Sequence, residues 1–222
     1  QLPFSKNTLT AHLAEMVAYG LLVPQESRDK RIRPLRLSAY GESMIGQWLA
    51  SHLVALDRLD GGDRASRFEG DHRLLGRIHP LAVRSLAFDP GWAQSPASVD
   101  LFVRTETGSN ILHELIGRVP AGLEVFDRPV CLGALAAGEV SNRHTLSRGH
   151  VLRVFARAKS DGLLVWSLPG NRGDLFVAET LLNDYVRWQA IKFAAISVAY
   201  RRAQQDLGCE QSLEPAVAEF SA

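Results

Sequence analysis

The apolar positions near the start of the chain fall on a helical stripe: Leu9, Leu13, Met16 and Val17 are spaced i, i+4, i+7, i+8. Ser5 stands where a side-chain oxygen would cap that helix, and Gly20 where a C′ glycine would end it. The opposite face carries short polar groups in the first two turns: Lys6, Asn7, Thr10, Ala11 and Glu15. Leu21 to Val23 then reads as a strand, Pro24 to Lys30 as a polar turn, and Ile32 to Ser38 as a returning strand with Leu35 and Leu37 on one side. Ser38 is placed to cap a long helix over Met44 to Leu59.

The same pattern recurs. Ser147 to Val165 aligns with Ser5 to Val23 without a gap, Gly-Leu-Leu-Val returning whole at Gly162 to Val165. Leu9 and Leu13 are answered by Val151 and Phe155, and Ala14 by Ala156. With a second turn shorter by two residues, Trp48 meets Trp188 in the helix that follows. A repeat governs every later inference about fold. Its unit here is helix, glycine, strand, turn, strand, helix.

Further elements surround the second copy. Ser98 to Val119 is helical with Ile111, Leu112, Leu115 and Ile116 on its apolar side. Leu132 to Val140 reads as a short Ala-rich helix, and Asn142 to Ser147 as the turn before the next one. Leu181 to Leu207 is a long helix, apolar almost all round and therefore expected to pack against others. Ser66 to Phe88 is helical with an interruption at Pro80. The division that follows is a first unit at 1–60, a connecting helical region at 61–97, a second unit at 98–180, and a packing helix and tail at 181–222. The first unit opens directly on its capped helix, which implies that its preceding helices lie upstream of Gln1.

At 222 residues the chain is long enough for two small cores, and a hydrophobic share of 46% with 22% charged residues sets it apart from disordered chains. Two distant cysteines, Cys131 and Cys209, exclude a disulfide framework or a four-cysteine zinc site and suit a reducing cytoplasm. The most apolar stretch, Trp188 to Tyr200, contains Lys192 and is too short to cross a bilayer. The net charge of +1 decides nothing, but its distribution does. Between Glu26 and Arg36 sit Arg28, Lys30, Arg31, Arg33 and Arg36 against only Glu26 and Asp29. Arg143, Arg148, Arg153, Arg157 and Lys159 follow one another with no acid between. Such clusters on a near-neutral protein are the footprint of a DNA-contacting face.

A helix with a short polar leading face, followed at once by a basic hairpin, is the winged helix-turn-helix arrangement. The helix enters the major groove and the wing reaches flanking phosphates or the minor groove. The details resemble the MarR family of bacterial regulators: N-T-L-T-A-H from Asn7, G-L-L-V from Gly20, D-K-R from Asp29 to Arg31, and L-S-A-Y-G from Leu37 to Gly41. The likeness departs at Ala11, where that family often has arginine; in the second copy Arg153 stands at that place. The fold expected is mainly α with small β-hairpin wings, two tandem winged units forming an intramolecular pseudo-dimer.

The resemblance implies a regulator that binds double-stranded DNA. Its DNA-contacting residues would be Ser5, Lys6, Asn7, Thr8, Thr10, Arg28, Lys30, Arg31 and Arg33 in the first unit. In the second they would be Arg148, His150, Arg153, Arg157 and Arg172. It also implies a small aromatic effector, for which Trp48, Tyr185 and Trp188 are the candidate lining. No cofactor, metal or membrane partner is expected. His113-Glu114 lacks a second histidine four residues on, and no nucleophile elbow or phosphate loop is present, so the chain does not read as an enzyme. Cys131, inside V-C-L-G-A-L, reads as core. Two alternatives use the same elements without DNA: a winged-helix protein-docking module, and a ligand sensor.

Overall fold

The computed structural model describes residues 5–29, 31, 33–71, 73–105, 107–122 and 126–219, with side chains to 208. It is mainly helical with two small antiparallel sheets, and it divides into two compact units: 1–82 with 196–222, and 83–195. These boundaries cut the region 61–97 in two and assign the two halves of the last helix to different units.

In the first unit, α1 (Lys6–Ala18) is capped by Ser5, whose hydroxyl accepts from the Thr8 N–H. Gly20, at φ +71°, carries the chain out of the helix, and the Leu21 N–H closes back on the Met16 carbonyl. A residue with a Cβ is disfavoured in that left-handed region, so glycine belongs there. Strands β1 (Leu22–Pro24) and β2 (Leu35–Leu37) pair antiparallel, Leu22 opposite Leu37. Ser38 caps α2 (Ala39–Asp60) through the Gly41 N–H. Then come α3 (Arg64–Gly70) and α4 (Arg73–Ala87). The interruption expected at Pro80 lies elsewhere: α4 runs through Pro80, and the break falls at Asp71. Buried Leu49, Leu53 and Leu56 on α2, and Leu74 and Ile78 on α4, form the apolar interior here. The Arg64 guanidinium bridges Asp57 at 2.9 Å and Asp60 at 2.5 Å, tying α3 to the end of α2.

The second unit holds α5 (Pro90–Ala93), α6 (Ala97–Val103), α7 (Gly108–Gly117), β3 (Val130–Ala134), α8 (Ala137–His144), α9 (Arg148–Ser160), β4 (Leu164–Leu168), β5 (Arg172–Val177) and the start of α10 (Glu179–Glu219). The three strands form an antiparallel sheet in the order β3-β5-β4. Residues 132–134, read as helical from their alanine content, belong instead to β3. There Cys131 pairs with Phe176 and Val130 with Val177, and α8 begins only at Ala137. A side chain in a strand faces opposite to its neighbours, and Cys131 falls on the outer face. It is exposed, which corrects its assignment to the core.

The frame of the second copy repeats the first bond for bond. Ser147 caps α9 through the His150 N–H, Gly162 sits at φ +72°, and the Leu163 N–H closes on the Ala158 carbonyl. Leu164 lies opposite Val177, the positions that Leu22 and Leu37 occupy in the first copy. The strand pair expected after Val165 is present.

Candidate nucleic-acid interface

Helix α9 is held by one side. Val151, Val154, Phe155 and Ala158 are buried against a core that includes Phe102, Ile111, Leu112, Leu115 and Val140. Their spacing leaves Arg148, Leu152, Arg153 and Arg157 on the outer side, all exposed. The Arg153 guanidinium lies near Gly149, one turn back on the same helix. Arg157 is engaged with Asp161 at 3.0 Å, one turn on. His150 is half-buried and shares a 3.0 Å hydrogen bond with Thr107 at the head of α7, so its ring anchors α9 as well as lying near its leading end. In the hairpin turn, Gly170 and Asn171 take positive φ, and the Arg172 side chain folds back onto the Pro169 carbonyl. Lys159 reaches Asn171 at 3.0 Å and lies over the Trp166 ring, linking α9 and the hairpin.

The helix before the turn is fixed by a polar cluster that the sequence did not announce. Glu114 of α7 is buried in an otherwise apolar run. It accepts from Arg118 Nε at 2.8 Å and from His144 Nε2 at 3.1 Å, with Arg143 at 3.6 Å. Arg118 and Arg143 also reach Glu139 of α8. Burial alone would raise the Glu114 carboxyl, but the hydrogen bonds from Arg118 and His144 and the charge of Arg143 outweigh it and hold it below its ordinary range. Between α8 and α9, Thr145 adopts φ +54°, rare for a β-branched residue and worth about 1–3 kcal/mol of strain. The turn is closed by the Leu146 N–H on the Ser141 carbonyl, and by the buried Ser141 hydroxyl on the Leu146 carbonyl. A glutamate inside I-L-H-E-L-I was the available signal: a charge amid apolar neighbours calls for partners.

The first copy presents its candidates differently. Lys6, Asn7, Thr8 and Thr10 are exposed on α1; the Thr10 hydroxyl donates to the Lys6 carbonyl, and the Ser5 hydroxyl is engaged in the cap. Arg28, Arg31 and Arg33 are exposed, with the Arg31 N–H turned onto the Asp29 carboxylate at 2.9 Å. Lys30 lies outside the described residues.

The aromatic residues expected to line an effector pocket are engaged with other rings. Trp188 stacks on Trp92 at 4.3 Å between centroids and donates to its carbonyl. Tyr185 is half-buried beside His113, and Trp48, in the other unit, lies against His52. Among the described residues, the hollow of about 360 Å³ beside Phe126, Cys131 and Phe176 in the second unit does not include Tyr185 or Trp188. The hollow of about 290 Å³ in the first unit does not include Trp48. No helix among the described residues is long and apolar enough to cross a membrane, and no group of three metal-ligating side chains occurs there. Comparison with protein-family models, curated proteins and solved structures gives no match.

Proposed function

We propose that this chain is a sequence-specific, double-stranded DNA-binding transcriptional regulator of the MarR kind. Its two copies of the winged helix-turn-helix plan would serve as the two readers that a homodimer takes from two chains. The observation that carries the reading is helix α9. It is fastened to a core along one face and offers Arg148 and Arg153 from the other, with the hairpin following at once. Such a helix can lie in a major groove while arginines reach base edges and phosphates. The exposed Arg28, Arg31 and Arg33 of the first hairpin suit flanking phosphates.

Mobility shift against DNA upstream of the protein's own locus, repeated over a range of salt, tests this. Binding should weaken steeply with salt, since each phosphate contact releases counterions. Arg153→Ala should lose about 1–3 kcal/mol at the base it grips, in one half-site only. Arg31→Ala should weaken all sequences alike and lower the salt slope by about one. Absent or salt-independent retardation would count against the reading.

One observation favours a second reading, a protein-docking module. Leu152 on α9 is 42% exposed, and Val165 and Leu168 on β4 are each 54% exposed, so helix and hairpin expose apolar as well as basic side chains. Salt-insensitive capture of a protein partner, with no DNA retardation, would mark that outcome. A small-molecule effector remains part of the regulatory proposal, at a site other than the stacked Trp188.

A further inference from the structure

The hollow of about 290 Å³ in the first unit is lined by Leu37 of β2, Glu42 and Ile45 of α2, and Leu75, Gly76, His79 and Pro80 of α4. Pro80 supplies no N–H, so the helical bond that would close on the Gly76 carbonyl one turn earlier cannot form. Gly76 offers no side chain to cover the gap, and a Cβ placed there would meet nothing within 4 Å. Both residues line the hollow. Pro80 therefore denies the Gly76 carbonyl its usual helical donor, at two residues that border a cavity close to the size of small-ligand pockets.

The rest of the wall has a definite chemistry. Leu37, Ile45 and Leu75 make it apolar, and Glu42 adds a carboxylate at the exposed rim. His79 contributes an imidazole that burial holds below its ordinary range, and so uncharged at neutral pH. Trp48 stands edge-on to it at 6.2 Å between centroids. No lysine or arginine occurs among the described lining residues. The polar groups are thus an anion, a carbonyl acceptor and an uncharged imidazole, set beside apolar walls.

We propose that this hollow binds a small organic cation, an ammonium head on an apolar body of about benzyl size, the head donating to the Gly76 carbonyl and facing Glu42. An organic anion would meet the Glu42 charge and the carbonyl, with only the His79 ring N–H to donate to it, so the site favours the cation. This inference is independent of DNA binding and uses none of the residues assigned to it.

The test is a ¹H–¹⁵N NMR titration of the whole chain with benzylammonium, against benzyl alcohol and benzoate as neutral and anionic counterparts of similar shape. Benzylammonium should shift amides within 37–46 and 75–80, with a dissociation constant on the order of millimolar for so few atoms. Benzoate should bind about tenfold more weakly or not at all, one charge-assisted hydrogen bond accounting for that factor. Gly76→Leu, which fills the open space, should abolish the shifts. Pro80→Ala restores a donor to the Gly76 carbonyl and should weaken benzylammonium without closing the cavity; it keeps the test decisive if the leucine variant does not fold. Equal binding of benzoate or benzyl alcohol, no shifts with any of the three, or shifts that survive both substitutions would overturn the proposal.

Discussion

Helices α1 and α9 are each 13 residues long, each capped by a serine, each ended by a glycine near φ +70°, and each followed by a hairpin in the same register. Their surroundings differ. Val151 and Phe155 are 0% and 1% exposed, whereas Leu9, in the place of Val151, is 41% exposed. Met16, in the place of the fully buried Ala158, is also 41% exposed. α9 packs on α6, α7, α8 and β4, while α1 meets β1, and no residue of α1 is buried among the described residues. Caps, glycine and register are therefore written locally and recur wherever the local sequence recurs. What fastens such a helix comes from elsewhere in the chain. A short helix gains little stability from propensity alone, and packing of its apolar face must supply the rest.

Core truncation gives the largest expected contrast. Phe155→Ala removes a buried aromatic that packs on Trp166 at 5.4 Å between centroids, and should cost about 3–5 kcal/mol. Leu13→Ala, at the matching place in α1, is half-buried and should cost well under that, about 1 kcal/mol or less. Denaturant unfolding followed by far-UV circular dichroism measures both. Equal costs would mean that the α1 stripe is covered in solution, and the contrast between the copies would fall.

This difference also explains which features the sequence made legible. The helix stripe of Leu9 to Val17, the caps at Ser5, Ser38 and Ser147, and the hairpins came from local patterning, where period, cap chemistry and turn residues agree. Cys131 did not: its apolar neighbours suggested core, but the strand alternates faces and Cys131 falls on the outer one opposite Phe176. The alanines of 134–137 suggested a helix, yet pairing of Val130 and Cys131 with β5 decides the conformation at the start of that run, and such pairing is invisible locally. Pro80 was read as a break, but α4 accommodates it at the expense of one hydrogen bond. His150 was placed among the groove-facing residues by alignment with Thr8. Its bond to Thr107 joins residues 43 apart in sequence, beyond the reach of periodicity.

The Glu114 cluster sharpens the comparison by pH, because it belongs to the second unit, between α7 and α8. The folded-state carboxyl titrates below its ordinary value of 4.5, so the stability it contributes is present above that value. It is lost as pH falls through the lowered folded value. Acidification below about pH 4.5 should therefore loosen the second unit, first at α8, with amide exchange rising over 137–147. His113, held down first by burial and then by the Lys192 and His144 charges, acts in the same direction at milder acidity. Its unfolded form takes up a proton from about pH 6.5 downward, so stability falls as pH drops through that range. Glu114→Gln would leave Arg118, Arg143 and His144 facing an uncharged group and should remove the lower of these two pH steps. An unchanged acid transition in that variant would show that the cluster does not control the second unit.

The smallest expected effect isolates the contrast most cleanly. Ser5 and Ser147 make the same bond: each hydroxyl accepts from the N–H three residues on, at 3.1 Å from Thr8 and 3.2 Å from His150. Local energetics therefore predict the same loss for either serine on substitution by alanine, about 1 kcal/mol. Coupling to the surroundings predicts otherwise. α9 shares its buried face with α6, α7 and α8, so fraying at Ser147 withdraws the His150–Thr107 contact and weakens the whole core. Ser147→Ala should lower the denaturant midpoint of the second unit by the full amount. α1 buries nothing, so its loss of helix at Ser5 need not pass beyond its own first turns. Ser5→Ala should raise amide exchange over 6–10 while leaving the global midpoint unchanged. If the midpoint falls equally for both variants, α1 unfolds together with the rest and its exposed stripe is fastened after all. If neither moves it, the cap on α9 carries no more than the cap on α1, and the difference between the copies lies in the buried side chains alone.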